Sequence, residues 1–211
     1  MSRISEITIA VESGKQKLIE ELVQEALDDG ESPNAILDKG MVPAMMSVGE
    51  KFQKNEVFVP ELLLAAKTMK KGVEIIRPHL SSDALGKMGK VIIGTVAGDL
   101  HDIGKNLVAL MIEAAGFEVI DLGVDVSPAK FVETLKEHPD CKIIAASALL
   151  TTTMNSLKNT VDEVHAAGYK DKVKIMIGGA PVTQEYADKI HADAYTPDAG
   201  SAAKKAIELV S

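Results

Sequence analysis

A chain of 211 residues with 23 Lys and Arg against 31 Asp and Glu carries a net charge of −8 at pH 7, so it lacks the basic face that nucleic-acid binding requires. Trp is absent and aromatic residues make up 3%, too few for a base-stacking platform. Apolar residues reach 46%, enough for one large core or two small ones, and no run of about 18 of them suggests a membrane span.

The N-terminus, "MSRISEITIAVESGKQ", lacks the apolar stretch of a secretory signal, and the cytoplasm is the expected compartment. Cys141 is the single cysteine, so no intrachain disulfide forms. It is expected to be an inert residue at a strand edge, since nothing near it in sequence would activate a thiol.

Up to about Ser82 the pattern is helical. Residues 15–29, "KQKLIEELVQEALDD", place Leu18, Leu22 and Ala26, with Val23 and Leu27, on one stripe. Gly30 ends that helix, and Ser32-Pro33 reads as an N-cap followed by a first-turn proline. Residues 41–53 put Met41, Met45, Val48 and Phe52 on one face. Pro60 opens a further helix that turns Leu63, Ala66, Met69, Val73 and Ile76 inward, and Pro78 stops it. The expectation is a bundle of about four helices over residues 1–82. A linker at 83–89 follows, within the Ser- and Gly-rich "SSDALGKMGK", suited to act as a hinge.

From Lys90 the pattern alternates. "KVIIGTVA" is a strand bounded by Gly98, and a helix follows from about Asp102 to Ala115. Then come strand "FEVIDLG", helix "SPAKFVETLKEH", strand "KIIAASAL", helix "TMNSLKNTVDEVHAAG", strand "VKIMIGG" and helix "TQEYADKIHA". "ADAYT" reads as a fifth strand and 199–210 as a last helix. Strands and helices alternating at these lengths predict a doubly wound parallel sheet of five strands over residues 90–211, Rossmann-like or flavodoxin-like. In such sheets ligands bind beyond the carboxyl ends of the strands.

The stretch "GDLHDIGKN", residues 98–106, has two incompatible readings. An HD-type metal-dependent phosphohydrolase carries a His-Asp pair on a helix of an all-helical domain, with further His and Asp ligands nearby. His79, His101, His138, His165 and His191 could supply the number. The context is wrong, because His101 follows the strand 90–97 and so sits on a loop at a strand's carboxyl end.

The second reading rests on three motifs in order, each after a predicted strand on the same edge of the sheet. They are Asp99-Leu100-His101-Asp102-Ile103-Gly104, Ser147-Ala148-Leu149, and Gly178-Gly179. Together they resemble the cobalamin-binding domains of corrinoid methyltransferases and adenosylcobalamin mutases. The resemblance implies a cofactor, cobalamin or a related corrinoid. His101 matches the residue that displaces the cofactor's own benzimidazole and binds cobalt from the lower face, a role an imidazole nitrogen serves well. Asp99 matches the carboxylate that takes the ring's second N–H and orients it. Thr153, in "SALLTTT", matches a hydroxyl that extends this relay. These three are the candidate catalytic residues. Gly98, Leu100, Asp102, Ile103 and Gly104 share the loop, and Gly104 lets the corrin approach the backbone. Ser147 and Leu149, followed by Leu150 and Thr151, would line one wall of the slot for the displaced nucleotide tail. Gly178 and Gly179 would leave room at the other wall.

Residues 49–78, "GEKFQKNEVFVPELLLAAKTMKKGVEIIRP", are similar to the helical cap of cobalamin-dependent methionine synthase and of methyltransferase corrinoid proteins. In that family the cap lies over the cofactor's upper face and excludes water. Phe52 and Val59 match the covering residues, Val59 standing where members often carry Leu. The resemblance covers about residues 15–210. It shows no methyl-donor, folate, homocysteine or reactivation domain, which is the build of corrinoid shuttle proteins in methanogens and acetogens. The implied function is to carry a methyl group on cobalt from a substrate-specific methyltransferase to a second one acting on a thiol or pterin. A reductive activase is a further implied partner; nucleic acid and membrane are not. Such a chain is a component of a cobalamin-dependent methyltransferase system rather than a complete enzyme. "SALLTTTM" looks most like carriers serving methylated amines, including quaternary amines, with the carriers of methanol and methoxy-aromatic systems as close relatives. A cobalamin sensor would add a DNA-binding module, and no basic or helix-turn-helix segment precedes residue 15. The small subunit of a mutase usually lacks the helical cap.

Overall fold

The computed structural model describes residues 2–80 and 88–211. Most of the expected linker, including Gly86, lies outside the described residues. The chain divides into two compact units, the first formed mainly by Met1–Lys87 and the second by Met88–Ile112 with Phe117–Ser211.

The helical unit contains α1 (Arg3–Glu12), α2 (Gln16–Asp28), the short α3 (Pro33–Ala35), α4 (Val42–Gln53) and α5 (Val59–Ile76). Helix α1 was hidden in the sequence because Ile, Thr and Val lower helix propensity. It forms because Ser2 caps its first turn and because Ile7, Ala10 and Val11 fall on one buried stripe. Ser32 caps α3 through the Ala35 N–H at 3.1 Å, with Pro33 in its first turn. The segment then continues as a π-helical stretch, Ile36–Met41, which runs directly into α4.

Two buried faces are rotated from those expected. On α2 the core residues are Ile19, Leu22, Val23 and Ala26, while Leu18 is exposed and Leu27 half-buried. On α5 they are Leu62, Ala65, Ala66, Met69, Gly72 and Ile76, and Leu63 and Val73 are only half-buried. The α5 face follows its small residues. A Cβ at Gly72 would lie 2.4 Å from Met41 Cε and 3.2 Å from Ile19 Cγ1, so Gly72 marks where its neighbours come closest.

The second unit is a five-stranded, all-parallel sheet in the order β2-β1-β3-β4-β5. Its elements are β1 (Lys90–Thr95), α6 (Ile103–Ala114), β2 (Glu118–Asp121), α7 (Pro128–Glu137), β3 (Cys141–Ser147), α8 (Met154–Ala166), β4 (Lys174–Gly178), α9 (Gln184–Lys189), β5 (Ala194–Tyr195) and α10 (Ala199–Val210). One core joins Ile92, Ile144, Ala146, Ile175 and Ile177 of the strands to Phe131 and Leu135 of α7, Leu157 and Val161 of α8, and Ile190 beside α9. The alternate strand residues Val91, Ile93, Ile143, Ala145 and Met176 are equally buried. Strand side chains alternate between faces, so both faces are covered, as a parallel sheet requires. Buried Met111 and Ile112 of α6 and Ala202, Ala203 and Ala206 of α10 complete this interior.

Strand order reverses between β1 and β3, and that is where a doubly wound sheet opens its ligand crevice. The register puts Thr95 opposite Ser147, and Ser147 opposite Gly178. The ends of β1, β3 and β4 therefore form one row, and the three sequence motifs leave the sheet side by side.

Candidate functional site

The β1–α6 loop leaves the sheet through Gly98, whose φ of 82° lies in the left-handed region that glycine enters without strain. Asp99 follows, fully buried, and His101 two residues later keeps its side chain 50% exposed. The Asp99 carboxylate joins the loop after β1 to the loop after β3. Its Oδ1 accepts from the His101 ring Nδ1–H at 2.7 Å and from the His101 backbone N–H at 3.1 Å. Its Oδ2 accepts from the N–H of Leu149 at 2.7 Å, the N–H of Leu150 at 3.3 Å and the Thr153 hydroxyl at 2.7 Å. The Thr153 hydroxyl also lies 2.9 Å from the Leu150 carbonyl. Its one proton goes to the carboxylate, the charged and stronger acceptor.

Burial by itself would raise the Asp99 carboxyl, but the donors from Thr153, His101 and Leu149 outweigh it and hold it well below the usual carboxylate range. Asp99 is thus an anion at neutral pH. An anion that accepts from Nδ1 fixes the neutral imidazole as the tautomer with its lone pair on Nε2. A second fixture acts on the His101 backbone. The buried Thr95 hydroxyl donates to the His101 carbonyl at 2.8 Å, and Ser147 Oγ lies 3.0 Å from Thr95 Oγ1. With the Thr95 proton so used, Ser147 is the donor of that pair.

The other expected residues fall around this centre or apart from it. Leu100 and Ile103 are 72% and 76% exposed, and Leu149 and Leu150 are also exposed. They are the apolar part of the two loops that Asp99 ties together. Asp102 is exposed and takes an Asn106 side-chain N–H at 3.1 Å. Thr151 is exposed in the 3-10 turn Thr151–Thr153 that positions Thr153. A Cβ at Gly104 would meet nothing within 4 Å, whereas one at Gly178 would lie 3.1 Å from the Thr196 carbonyl oxygen. At Gly179, where φ is 130°, it would lie 1.8 Å from the Ala148 carbonyl oxygen. The space freed by Gly179 is therefore taken by the protein's own backbone after β3. Phe52, in the last turn of α4, and Val59, opening α5, are half-buried in the helical unit.

Sequence reasoning missed Thr95, Asp125 and Lys105. Thr95 is a lone hydroxyl in a buried strand, and Asp125 looks like an ordinary loop acid. Lys105, buried just after the motif, reaches Asp121 at 2.5 Å and Asn106 at 2.7 Å, pinning the first turn of α6 to the end of β2. Its cue is a lysine one residue past Gly104, on the first turn of a helix that follows the motif. Cys141 is buried in β3 and its thiol is pushed up to about 11 by that burial. It is inert, as its sequence context implied.

A half-exposed imidazole, backed by a buried anion, thus presents one oriented nitrogen lone pair at the switch point of a parallel α/β sheet, the place where such sheets bind ligands. Among the described residues no group of three or more His, Cys, Asp and Glu could hold a metal ion. The family described as the B12 binding domain matches residues 89–207, and a second family of that description matches residues 4–77; the chain belongs to this B12-binding family. It is 44% identical over 192 residues, 90% of this chain and 88% of the relative, to trimethylamine corrinoid protein 2 of Methanosarcina mazei. It is 40% identical over 209 residues, 99% of this chain and 97% of the relative, to the dimethylamine corrinoid protein of Methanosarcina barkeri. A solved chain of the methanol:cobalamin methyltransferase complex MtaBC from Methanosarcina barkeri matches with a TM-score of 0.87 and 27% identity, covering 99% of this chain and 79% of that one.

The cofactor is cobalamin or a related corrinoid, and the residues present fit it. A corrin ring supplies four nitrogen ligands of its own, so the protein needs to offer cobalt only one donor. His101 offers one, with Nδ1 already engaged. A Cβ at Gly104 would meet nothing within 4 Å, and the exposed Leu100 and Ile103 would offer an apolar surface to a large macrocycle.

Proposed function

We propose that this chain is a corrinoid protein that carries a methyl group from a methyltransferase acting on a methylated amine to a second methyltransferase. The observation that carries the reading is the buried Asp99 bridging His101 and Thr153 at 2.7 Å each. It occurs in a chain that matches amine corrinoid proteins over nearly its whole length. When bound, the corrinoid supplies a cobalt atom able to accept a methyl group and release it. His101 would hold that cobalt through Nε2 from one face. Asp99 would keep the ring oriented and its Nδ1 protonated, and Thr153 would keep Asp99 ionised and in place. Thr153 also ties the loop after β3, with Ser147, Leu149, Leu150 and Thr151, to the loop that carries Gly98, Leu100, Asp102, Ile103 and Gly104.

The relation to a methanol:cobalamin methyltransferase complex supports a methyltransferase as partner. An acceptor methyltransferase acting on a thiol or pterin, and a reductive activase, complete the proposed system. The Methanosarcina relatives support a place in methanogenic one-carbon metabolism. No described helix is long and apolar enough to cross a membrane. For Phe52 and Val59 the support is the resemblance of their segment to a cofactor-shielding cap. Phe52→Ala is expected to leave cobalamin bound and to speed light-driven loss of the carried methyl group.

The test is to load the protein with hydroxocobalamin, reduce it, and offer labelled trimethylamine or dimethylamine together with the methyltransferase for that amine. Protein-bound label and a base-off, histidine-on spectrum are expected, with both lost or altered in His101→Ala. A protein that purifies with an adenosyl upper ligand and takes label from no methylated amine overturns the proposal.

A further inference from the structure

We propose that Asp125 is a positioning residue for the His101–Asp99 pair, clamping the backbone on both sides of Asp99 from the neighbouring β2–α7 loop. The proposal rests on the reading of His101 as the cobalt ligand. Asp125 Oδ1 accepts the Gly98 N–H at 2.7 Å, and the Asp125 N–H donates to the Asp99 carbonyl at 2.9 Å. Asp125 holds a φ of 54°, a left-handed backbone that few residues other than Gly, Asn and Asp adopt readily. The residue is thus of a type that supplies an acceptor and tolerates the conformation that aims its N–H back at Asp99. The approach is prepared by the sheet itself. Val96 bridges Val126 in parallel fashion, and the Val126 N–H donates to the Thr95 carbonyl at 2.9 Å. The β1–β2 pairing therefore continues past the strand ends and delivers Asp125 beside Gly98.

The ring of His101 needs this clamp because of how Asp99 is loaded. Its carboxylate accepts five donors from two segments. Three of those donors belong to Leu149, Leu150 and Thr153 on the β3 loop; with His101 held by Thr95, the backbone of Asp99 decides whether Oδ1 meets Nδ1 of His101. A shift of about 1 Å turns a 2.7 Å bond into a contact too long to bind. That backbone is also tethered by the Asp99 N–H, which donates to the Val96 carbonyl at 3.1 Å. Asp125 acts through the loop: its carboxylate holds the Gly98 N–H and its own N–H holds the Asp99 carbonyl.

Two variants separate positioning from simple stability. Asp125→Gly keeps the left-handed backbone and its N–H and removes only the carboxylate. Asp125→Asn keeps an oxygen acceptor and tolerates the same φ. Full-length proteins loaded with hydroxocobalamin are compared by visible spectrum and dissociation constant. The unloaded proteins are compared by ¹⁵N shifts of the His101 ring, which report its tautomer, and by thermal midpoint. Asp125→Gly is expected to bind on the order of 10-fold more weakly, the lower end for loss of an outer partner of a metal ligand. It is also expected to show a mixture of histidine-on and histidine-off spectra and of ring tautomers, and Asp125→Asn is expected to recover most of the loss. His101→Ala is run in parallel. If it changes the spectrum while Asp125→Gly keeps the wild-type spectrum and tautomer, even at a lower thermal midpoint, Asp125 is structural only and the proposal falls. If His101→Ala leaves the spectrum unchanged, the ligation reading fails by itself. The ring tautomer in unloaded Asp125→Gly then decides whether the clamp positions the pair.

Discussion

At the scale of single residues the site depends on one buried charge. Asp99 is acceptor-only, and every polar group that meets its carboxylate donates. Asp99→Asn would replace one oxygen with an NH₂ group. That group would face either the His101 donors or the Leu149, Leu150 and Thr153 donors. The expected result is a destabilisation of about 1–3 kcal/mol in urea unfolding, with cobalamin affinity down about 10–100-fold by spectroscopic titration. Unchanged affinity would remove Asp99 from ligand orientation. The same charge sets a pH dependence. Folding lowers the Asp99 carboxyl below its unfolded value of about 3.9. Its stabilisation is therefore complete above that unfolded value and is lost as pH falls through the folded value. Urea midpoints of the unloaded protein are expected to drop as pH is lowered below about 4, and Asp99→Asn is expected to flatten that part of the profile. At this scale the sequence singled out His101 and Asp99 because they share one contiguous motif, and Thr153 through the resemblance of the stretch after Ser147-Ala148-Leu149; the structure hydrogen-bonds the three together. Thr95 and Asp125 were not. A threonine in a strand and an aspartate in a loop acquire their roles only when another loop's backbone comes within 3 Å.

At the scale of elements, the ends of the strands decide where chemistry can occur. The Gly178-Gly179 pair was legible as a motif, but its strictest demand is internal, since a side chain at 179 would overlap the Ala148 carbonyl. Gly179→Ala combines backbone strain with overpacking and is expected to cost at least about 2 kcal/mol. Circular dichroism melts would show it, and a melt like wild type would mean that the β3 and β4 loops can separate. Gly72→Ala is the counter-case. Its nearest neighbour is the mobile end of Met41, which can rotate aside, so the cost should stay nearer 1 kcal/mol. The rotated faces of α2 and α5 have a related cause. Adjacent apolar residues such as Leu18 and Ile19, or Leu62 and Leu63, give nearly the same 3.6-residue period. Close contact between partner helices chooses between them.

At the scale of the whole molecule, two interiors are built from one chain. The helical unit buries Ile7, Ile19, Met41, Met45, Leu62 and Ile76, and the α/β unit buries Ile92, Phe131, Ile144 and Ile175. The residues proposed to hold cobalt and the nucleotide tail all belong to the second. Cobalamin at about 100 times its dissociation constant should add about 2.7 kcal/mol to the unfolding of that unit. Hydrogen exchange with and without hydroxocobalamin is expected to show slower exchange at amides of β1, β3 and β4. Equal exchange in those strands would argue against binding at their carboxyl ends.

The sequence by itself determined the class of each half, the strand order along the chain, the three motifs and the identity of the axial-ligand candidate. It could do so because the periods of 3.6 and 2 are local and the motifs are contiguous. Only the tertiary structure decided that β1 lies between β2 and β3, so that strand order reverses between the strands whose loops carry Asp99 and Thr153. It also decided that α1 is a helix, that Gly179 answers to Ala148, and that Asp125 reaches Gly98. Each of these depends on a contact between residues far apart in sequence, and local propensity carries no information about such a contact until the chain has closed on itself.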